Sequence, residues 1–344
     1  MISIDNQSQI ASFSKVENRR LQSLFPFLIK ITIAIAILWV LYYLKLLQLS
    51  PLKSLICKPR HLSFLILLAW LTFPLCALRW LWLLQIQGIR SSFFDIFRIV
   101  YSSALLGVYL PGVVGGDAVR VFFSLKLSGR KMSEMALSVV VDRLLGVFAI
   151  FALGLIACLV YISQFWDKPV LLNLILILTG IFLVGLLTAS LVCMFAEHLR
   201  EICRLKKFQD RGFILKNISR ILESLALYSD RPGWLLLGLG LSILVHGKNL
   251  VILALLAKSM SIGDPGIWGF AIAGSVSFLI NFLPLTPGGI GIGESAFAQL
   301  SLYLVDSMAT AAYATVYLTF RALTVLSLLP SLFLLPARFY RLYD

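Results

Sequence analysis

Long apolar segments limit what this chain can fold into more than any other feature of its sequence. The hydrocarbon core of a bilayer is about 30 Å thick, and a spanning helix needs roughly 20 apolar residues. Six segments meet this requirement, at residues 26–44, 62–84, 133–162, 169–195, 234–258 and 308–335. A soluble domain would not expose so apolar a surface, since 60% of all residues are hydrophobic and 13% are charged. We therefore predict an all-α, polytopic helical membrane protein.

Two further apolar stretches, 93–127 and 264–305, are interrupted in the middle. The sequence LPGVVGGD interrupts the first at 110–117, and PLTPGGIGIGE interrupts the second at 284–294. Proline and glycine free backbone groups that lipid cannot satisfy, so such breaks are tolerated at membrane depth only beside other protein or a water-filled cavity. We predict that each stretch forms a re-entrant hairpin, which gives six to eight membrane segments in total.

Basic residues predict which end of the helices faces the cytoplasm. The linker 196–233 carries eight lysines and arginines, whereas the turn 163–168 carries one. By the positive-inside rule the linker is cytoplasmic. Counting crossings from it places both termini in the cytoplasm, with 1–25 as an N-terminal cytoplasmic segment, and we expect the plasma membrane as the location. The loop 45–61 disagrees, because it would lie outside with four basic residues.

Three pairs of similar residues recur at nearly the same offset in the two halves of the chain. The pairs and their separations are Pro111 and Pro287 (176), Asp117 and Glu294 (177), and Arg143 and Arg321 (178). Each half then has two spanning helices, a broken hairpin and a long helix, and three crossings per half would invert the second half. We predict a membrane domain at 26–335, with inverted repeats at about 26–162 and 169–335. A chance alignment of two Pro/Gly-rich breaks is the alternative.

Charged side chains inside the apolar runs are the main candidates for a functional site. A charge near a helix centre costs about 2.5 to 3.5 kcal/mol on insertion scales, so each should face the interior of the bundle. Asp142 and Arg143 are adjacent and point in different directions, so their partners must come from elsewhere. The repeat suggests pairs between the halves, Glu294 with Arg143 and Asp117 with Arg321. Alternatively, these charges only fix the register of the helices.

Glycines at the breaks and a lysine at mid-helix extend the candidate site. Gly288 and Gly289 could offer backbone amides to a phosphate or carboxylate, or they could allow only a tight turn and close packing. Lys248 could contact an anionic substrate, or it could extend its ammonium toward an interface. The candidate substrate-binding residues are Asp117, Arg120, Asp142, Arg143, Lys248, Gly288, Gly289, Glu294 and Arg321.

Other site chemistry finds little support in the sequence. The net charge of +14 comes from Lys and Arg that lie between apolar runs, which favours anionic lipid headgroups over nucleic acid. Five cysteines without CxxC spacing and three scattered histidines suggest neither a disulfide framework nor a metal site. Nucleotide-binding and hydrolase motifs are absent. We predict no catalytic residues and no cofactor.

Four motifs in order resemble the transmembrane region of lysylphosphatidylglycerol synthases over most of the chain. They are LPGVVGGDAVR (110–120), VVDRLLG (140–146), PLTPGGIGIGE (284–294) and YLTFRALT (317–324). In bifunctional members this region moves aminoacylated phospholipid across the bilayer, and a separate cytosolic domain transfers lysine. No stretch here is long enough for that domain, so the resemblance implies the translocating part only. Gly293 departs from the pattern, which has a bulkier residue before the glutamate.

We therefore expect a flippase-like protein that binds or translocates a phospholipid or another polar lipid. Two alternatives stay open. One is a membrane enzyme that modifies or transfers a lipid-linked group with the same acids as general bases. The other is a membrane partner that recruits a separate lipid or sugar transferase through the linker 196–233. Homodimerisation also stays open.

Overall fold

A computed structural model shows a helical protein, with no strand among the residues that it describes. Those residues are 53, 55–109, 112–128, 132–164, 169–195, 227–263, 265–282, 291–305 and 310–334. The helices are α1 (Pro59–Trp70), α2 (Thr72–Ile86), α3 (Phe93–Tyr109), α4 (Gly112–Ser128), α5 (Met132–Tyr161), α6 (Pro169–Met194), α7 (Pro232–Ser259), α8 (Gly266–Phe282), α9 (Ile292–Val305) and α10 (Thr310–Leu328). Short 3-10 turns follow α5 at Ile162–Gln164 and α10 at Leu329–Leu334. The predicted helical membrane fold is confirmed.

The predicted spanning segments coincide with helices wherever the structure describes them. Within the described residues, four helices are long and apolar enough to cross a bilayer. They are α1 with α2 as one span, α5, α7, and Tyr313–Leu334 of α10 with its 3-10 extension. Helix α6 corresponds to the predicted segment 169–195. The predicted span 26–44 and most of the linker 196–233 lie outside the described residues.

Hydrogen bonds between helix ends show how the helices run relative to one another. At one end, which we call the Gln87 end, the Gln87 amide donates to the Tyr228 hydroxyl, just before α7, and to the Glu134 carbonyl in α5. At the opposite end, the Tyr161 end, the Tyr161 hydroxyl donates to the Pro265 carbonyl. There the Tyr313 hydroxyl also donates to Gly263. Helices α5 and α7 therefore both run from the Gln87 end to the Tyr161 end, and α10 runs back.

The two predicted hairpins enter the bundle from opposite ends. Helices α3 and α4 contact each other, with α3 starting close to the end of α2 and α4 ending close to the start of α5, so this hairpin enters from the Gln87 end. Helices α8 and α9 pack together in the same way and enter from the Tyr161 end. Helices of 17, 17, 17 and 14 residues are only about 21 to 26 Å long. This opposed arrangement is the one that an inverted repeat requires.

Among the described residues, two large hydrophobic cores and a smaller cluster around Phe73 and Tyr101 hold the bundle, and its outer surface is apolar. One core surrounds Trp80 where α2, α4 and α5 meet, and the other surrounds Phe270 and Phe297 where α7, α8, α9 and α10 meet. Leu176 and Leu187 on α6 are 69% and 61% exposed. Large exposed apolar side chains of this kind suit contact with lipid and not with water.

Candidate functional site

The first acid–arginine pair joins the second helix of the first hairpin to the long helix that follows. Asp117 lies on α4 and Arg143 lies on α5. Arg143 Nε donates to Asp117 Oδ2 at 2.9 Å and Arg143 Nη2 donates to Asp117 Oδ1 at 2.7 Å, which makes a bidentate pair. The Arg143 side chain is 41% exposed and the Asp117 side chain is 19% exposed. This pair is therefore accessible from outside the packed core.

The second pair joins the equivalent elements of the second half and is more buried. Arg321 Nη1 on α10 lies 2.9 Å from Glu294 Oε1 on α9. Glu294 Oε2 accepts a hydrogen bond of 2.8 Å from the backbone N–H of Gly291, whose φ is 96°. The Glu294 side chain is 1% exposed and that of Arg321 is 24% exposed. Glu294 thus holds both the arginine and the backbone that begins α9.

The predicted pairing between the halves, Glu294 with Arg143 and Asp117 with Arg321, is wrong. In each half a short connection joins an antiparallel helix pair, α4 to α5 and α9 to α10. The acid and the arginine each lie about eleven residues from that connection, or ~16 Å along the helix axis. Residues equidistant from a turn lie side by side in antiparallel helices. The repeat therefore reproduces one contact twice, at the same distance from the connection in each half.

A third ionic group is fully buried, and two of its three charged residues were among the predicted candidates. Asp142 accepts from Arg79 Nε at 2.6 Å through Oδ1 and from Arg120 Nη1 at 2.8 Å through Oδ2. Arg79 Nη1 also donates to Ser242 Oγ on α7 at 2.6 Å. All three charged side chains are at most 7% exposed. We call Arg79, Arg120 and Asp142 the buried triad, and it carries one excess positive charge.

Arg120 is held by an aromatic ring as well as by its carboxylate. Its guanidinium carbon lies 3.9 Å from the centroid of the Trp80 ring. Arg120 Nε and Nη2 have no hydrogen-bond partner among the described residues. A cation over an aromatic face is stabilised by the ring quadrupole, which offsets part of the cost of these unpaired donors. Arg120 lies on α4 three residues after Asp117, so the buried triad adjoins the first acid–arginine pair.

As predicted, Asp142 and Arg143 do not pair with each other and take partners from other helices. Arg120 and Asp142 were both in the predicted set, but Arg79 was not. It could have been found, because it is the single charged residue in the apolar segment 62–84. Only the fold shows that it meets Asp142 from a helix far away in sequence.

Lys248 lies apart from the three ionic groups. Its Nζ donates to Thr72 Oγ1 at 2.6 Å and to Asn249 Oδ1 at 2.8 Å. Thr72 belongs to α2, so this contact ties α7 to the first half of the chain. The ammonium group remains at mid-helix instead of extending to an interface, and no carboxylate lies within salt-bridge distance in the described part of the chain.

The glycines described at the two breaks serve close packing. A Cβ on Gly116 would lie 3.1 Å from the Ser103 carbonyl oxygen and 3.2 Å from Gly107 Cα, so α3 and α4 cross at a glycine contact. A Cβ on Gly293 would lie 2.4 Å from the Asn281 amide nitrogen, which explains why no bulkier residue precedes Glu294 here. Gly288 and Gly289 lie outside the described residues, so their predicted role stays a prediction.

Positive charge exceeds negative charge among these intramembrane groups. Five cations accompany three acids, an excess of two: Arg79, Arg120, Arg143, Lys248 and Arg321 against Asp117, Asp142 and Glu294. Within the described ranges, no cluster of three or more His, Cys, Asp or Glu side chains could hold a metal ion. The groups therefore suit an anionic ligand.

Comparison with known proteins assigns the chain to a described family. The sequence profile of the "Lysylphosphatidylglycerol synthase TM region" matches residues 27–331. A UPF0104 membrane protein of Methanocaldococcus jannaschii is 24% identical over 257 residues, which cover 69% of this chain and 73% of that protein. No solved structure gives a significant match.

Proposed function

Because this chain belongs to the lysylphosphatidylglycerol synthase transmembrane-region family, we propose that it translocates an anionic polar lipid between the two leaflets of the membrane. The observation that carries the proposal is the pair of matched acid–arginine contacts, Asp117–Arg143 and Glu294–Arg321. Each lies ~16 Å along its helices from the end where its own hairpin enters. Two equivalent arginines, each paired with an acid, therefore lie at the same distance from opposite ends of the bundle.

The charges of these positions fit a phosphate-bearing headgroup. In this proposal, the headgroup phosphate replaces Asp117 as the partner of Arg143, because bidentate contacts suit phosphate as well as carboxylate. The partial exposure of Arg143 supports this step, since a ligand can reach its guanidinium. The buried triad adds a fixed positive charge nearby, which favours an anionic over a cationic or neutral headgroup.

The second position would then receive the headgroup from the first. Arg321 is less exposed than Arg143, and Glu294 is held by the Gly291 amide as well as by Arg321. Displacing Glu294 therefore costs more than displacing Asp117. We expect the step at the second pair to limit the rate.

Vesicles that contain the full-length protein can test the proposal. Fluorescent phosphatidylglycerol in both leaflets is bleached from outside, and the fraction that becomes accessible reports movement between leaflets. Arg143→Ala and Arg321→Ala should each lower the rate at least tenfold. Arg98→Ala removes an exposed cation near the Gln87 end and serves as the matched control, which should move lipid at the wild-type rate.

Unchanged movement in both variants, at equal incorporation into vesicles, would contradict the assignment. Mass spectrometry of the recovered lipid separates the alternatives, because a translocase returns it unmodified. A new lipid product that disappears in Glu294→Gln would instead favour a membrane enzyme.

A further inference from the structure

A groove on the lipid-facing side of the second half has no part in the ionic groups described above. It has a volume of about 500 Å³ and lies between the first half of α6 and the hairpin of α8 and α9. Its lining residues are Val170, Asn173, Leu174, Ile177, Val276, Ala296, Gln299, Leu300 and Tyr303. None of these side chains is charged, so the part of a ligand that lies in the groove should be uncharged.

The groove exists because α6 packs against α5 on its other side. The Phe182 ring of α6 lies 6.3 Å from the Phe148 ring of α5, and the ring of Phe148 also fills the space beside Gly185. On the far wall, α9 is held to α8 by the stacked rings of Phe270 and Phe297. Both walls are thus fixed by contacts that lie outside the groove.

The polarity of the groove changes with depth in the membrane. Tyr303, Asn173 and Gln299 lie within ~9 Å of the Tyr161 end, counted along their helices at 1.5 Å per residue. Val276 and Ala296 lie deeper, at ~13 to 15 Å by the same count. The groove therefore has a polar mouth near the membrane surface and an apolar floor toward the midplane. A membrane lipid has the same order of groups from its ester linkages to its acyl chains.

The groove opens sideways toward hydrocarbon. Leu176 and Ile177, on the α6 side of the groove, are 69% and 57% exposed. Asn173 and Gln299 are also exposed, and an amide facing lipid without a hydrogen-bond partner is costly. The ester carbonyls and glycerol oxygens of a lipid would accept hydrogen bonds from these amides. The occupant must be apolar at depth and uncharged but polar at the mouth.

We propose that this groove binds one glycerophospholipid of the leaflet at the Tyr161 end. Its ester and glycerol oxygens lie against Asn173 and Gln299, and one acyl chain extends along Val276 and Ala296. The proposal does not depend on lipid translocation, because the groove contains none of the residues assigned to it.

Photo-crosslinking in nanodiscs tests the site. The full-length protein is placed in dioleoyl phosphatidylcholine containing a small fraction of phosphatidylcholine with a diazirine on one acyl chain. After illumination, mass spectrometry should locate adducts mainly on the first half of α6 and on α9. Ala296→Phe fills the floor of the groove and should lower these adducts at least fivefold. Leu187→Phe, on the outward face of α6, is the matched control and should leave them unchanged.

A second variant keeps the test decisive if Ala296→Phe fails to fold. Gln299→Leu alters an exposed side chain at the mouth and should lower the adducts two- to threefold. Equal adducts on the groove and around Leu187, or no change in either groove variant, would overturn the proposal. So would efficient disulfide formation between copies carrying Asn173→Cys, which would show a second chain at the groove. Lipid movement measured on the same preparations reports separately on the proposed function of Arg143 and Arg321.

Discussion

The first and second halves share an acid–arginine pair but differ in what lies beside it. Asp117 and Arg143 correspond to Glu294 and Arg321 at offsets of 177 and 178. At the same two offsets, the positions of Arg120 and Asp142 in the buried triad correspond to aromatic residues in the second half. Arg120 matches Phe297, and Asp142 matches Phe320. One half therefore has ionic neighbours where the other has an aromatic cluster.

The aromatic neighbours need no counter-charge. Tyr317 lies 5.3 Å from Phe297 and 6.0 Å from Phe320 between ring centroids, and Phe278 lies 5.7 Å from Phe320. Arg120 and Asp142 instead form an ionic group that includes Arg79 on α2, which in turn binds Ser242 on α7. Both halves contain the acid–arginine pair, which is why the proposed translocation is built on it. The surplus positive charge of the ionic groups belongs to the first half and to Lys248.

Removing the carboxylate of the triad should have the largest effect on stability. Asp142→Asn leaves two buried arginines without a counter-charge, and breaking a buried ion pair in this way costs about 3 to 5 kcal/mol. The equivalent change in the second half, Phe320→Leu, should cost less than about 1.5 kcal/mol, because it exchanges one apolar side chain for another. Unfolding of both variants in detergent measures the difference. Equal losses would remove the distinction between the halves.

Replacing the whole triad by apolar residues separates stability from transport. In Arg79→Met/Arg120→Met/Asp142→Leu, stability should return to within about 2 kcal/mol of the wild type or exceed it, since apolar replacements of buried ion pairs are often neutral or stabilising. Movement of phosphatidylglycerol in vesicles should nevertheless fall about tenfold, because the surplus charge of the first half is lost. Wild-type movement in a folded triple variant would mean that the triad only fixes helix register.

The hairpins should differ in their tolerance of side chains at equivalent glycines. Gly116→Leu pushes two backbones apart and should cost about 1 to 3 kcal/mol by overpacking. Gly293→Ala meets only the Asn281 amide, which can turn away at the loss of its hydrogen bond to Tyr317, or about 0.5 to 1.5 kcal/mol. Denaturation in detergent compares the two variants. A larger loss for Gly293→Ala would show that the second hairpin is the more tightly packed one.

The smallest effect is expected for Lys248. Lys248→Met removes two hydrogen bonds but keeps the length of the side chain, so stability should change by less than about 1.5 kcal/mol. The excess of positive charge falls from two to one, and phosphatidylglycerol movement should decrease about twofold. The vesicle assay described above measures this change. A loss as large as that of Arg143→Ala would make Lys248 a direct headgroup contact.

The sequence predicted the helices well because apolar length and Pro/Gly breaks are local properties. It also predicted that acids and arginines within the apolar runs form ion pairs with residues of other helices, since charge in an apolar run is visible without a fold. It failed on their pairing, because equal offsets between two halves mark equivalent positions and not neighbouring ones. Asp117 and Glu294 are thus related by the repeat, but each pairs with the arginine of its own half.

The groove could not be predicted for a different reason. Asn173 and Gln299 lie on helices α6 and α9, separated by more than a hundred residues, and neither is unusual in its own segment. Only the packing of α6 against α5 leaves the space between them. Arg79 is an intermediate case, because its charge is conspicuous in the sequence but its partner is not.

Two hydrogen bonds between α2 and α7 limit how the halves can move. Arg79 of the first half donates to Ser242 of the second, and Lys248 of the second donates to Thr72 of the first. Sliding one helix along the other by a single turn, about 5.4 Å, would break both bonds. A rocking motion around this line preserves them and swings the hairpins on either side. If the protein translocates lipid as proposed, the α2–α7 contact is the line about which the two halves would rock.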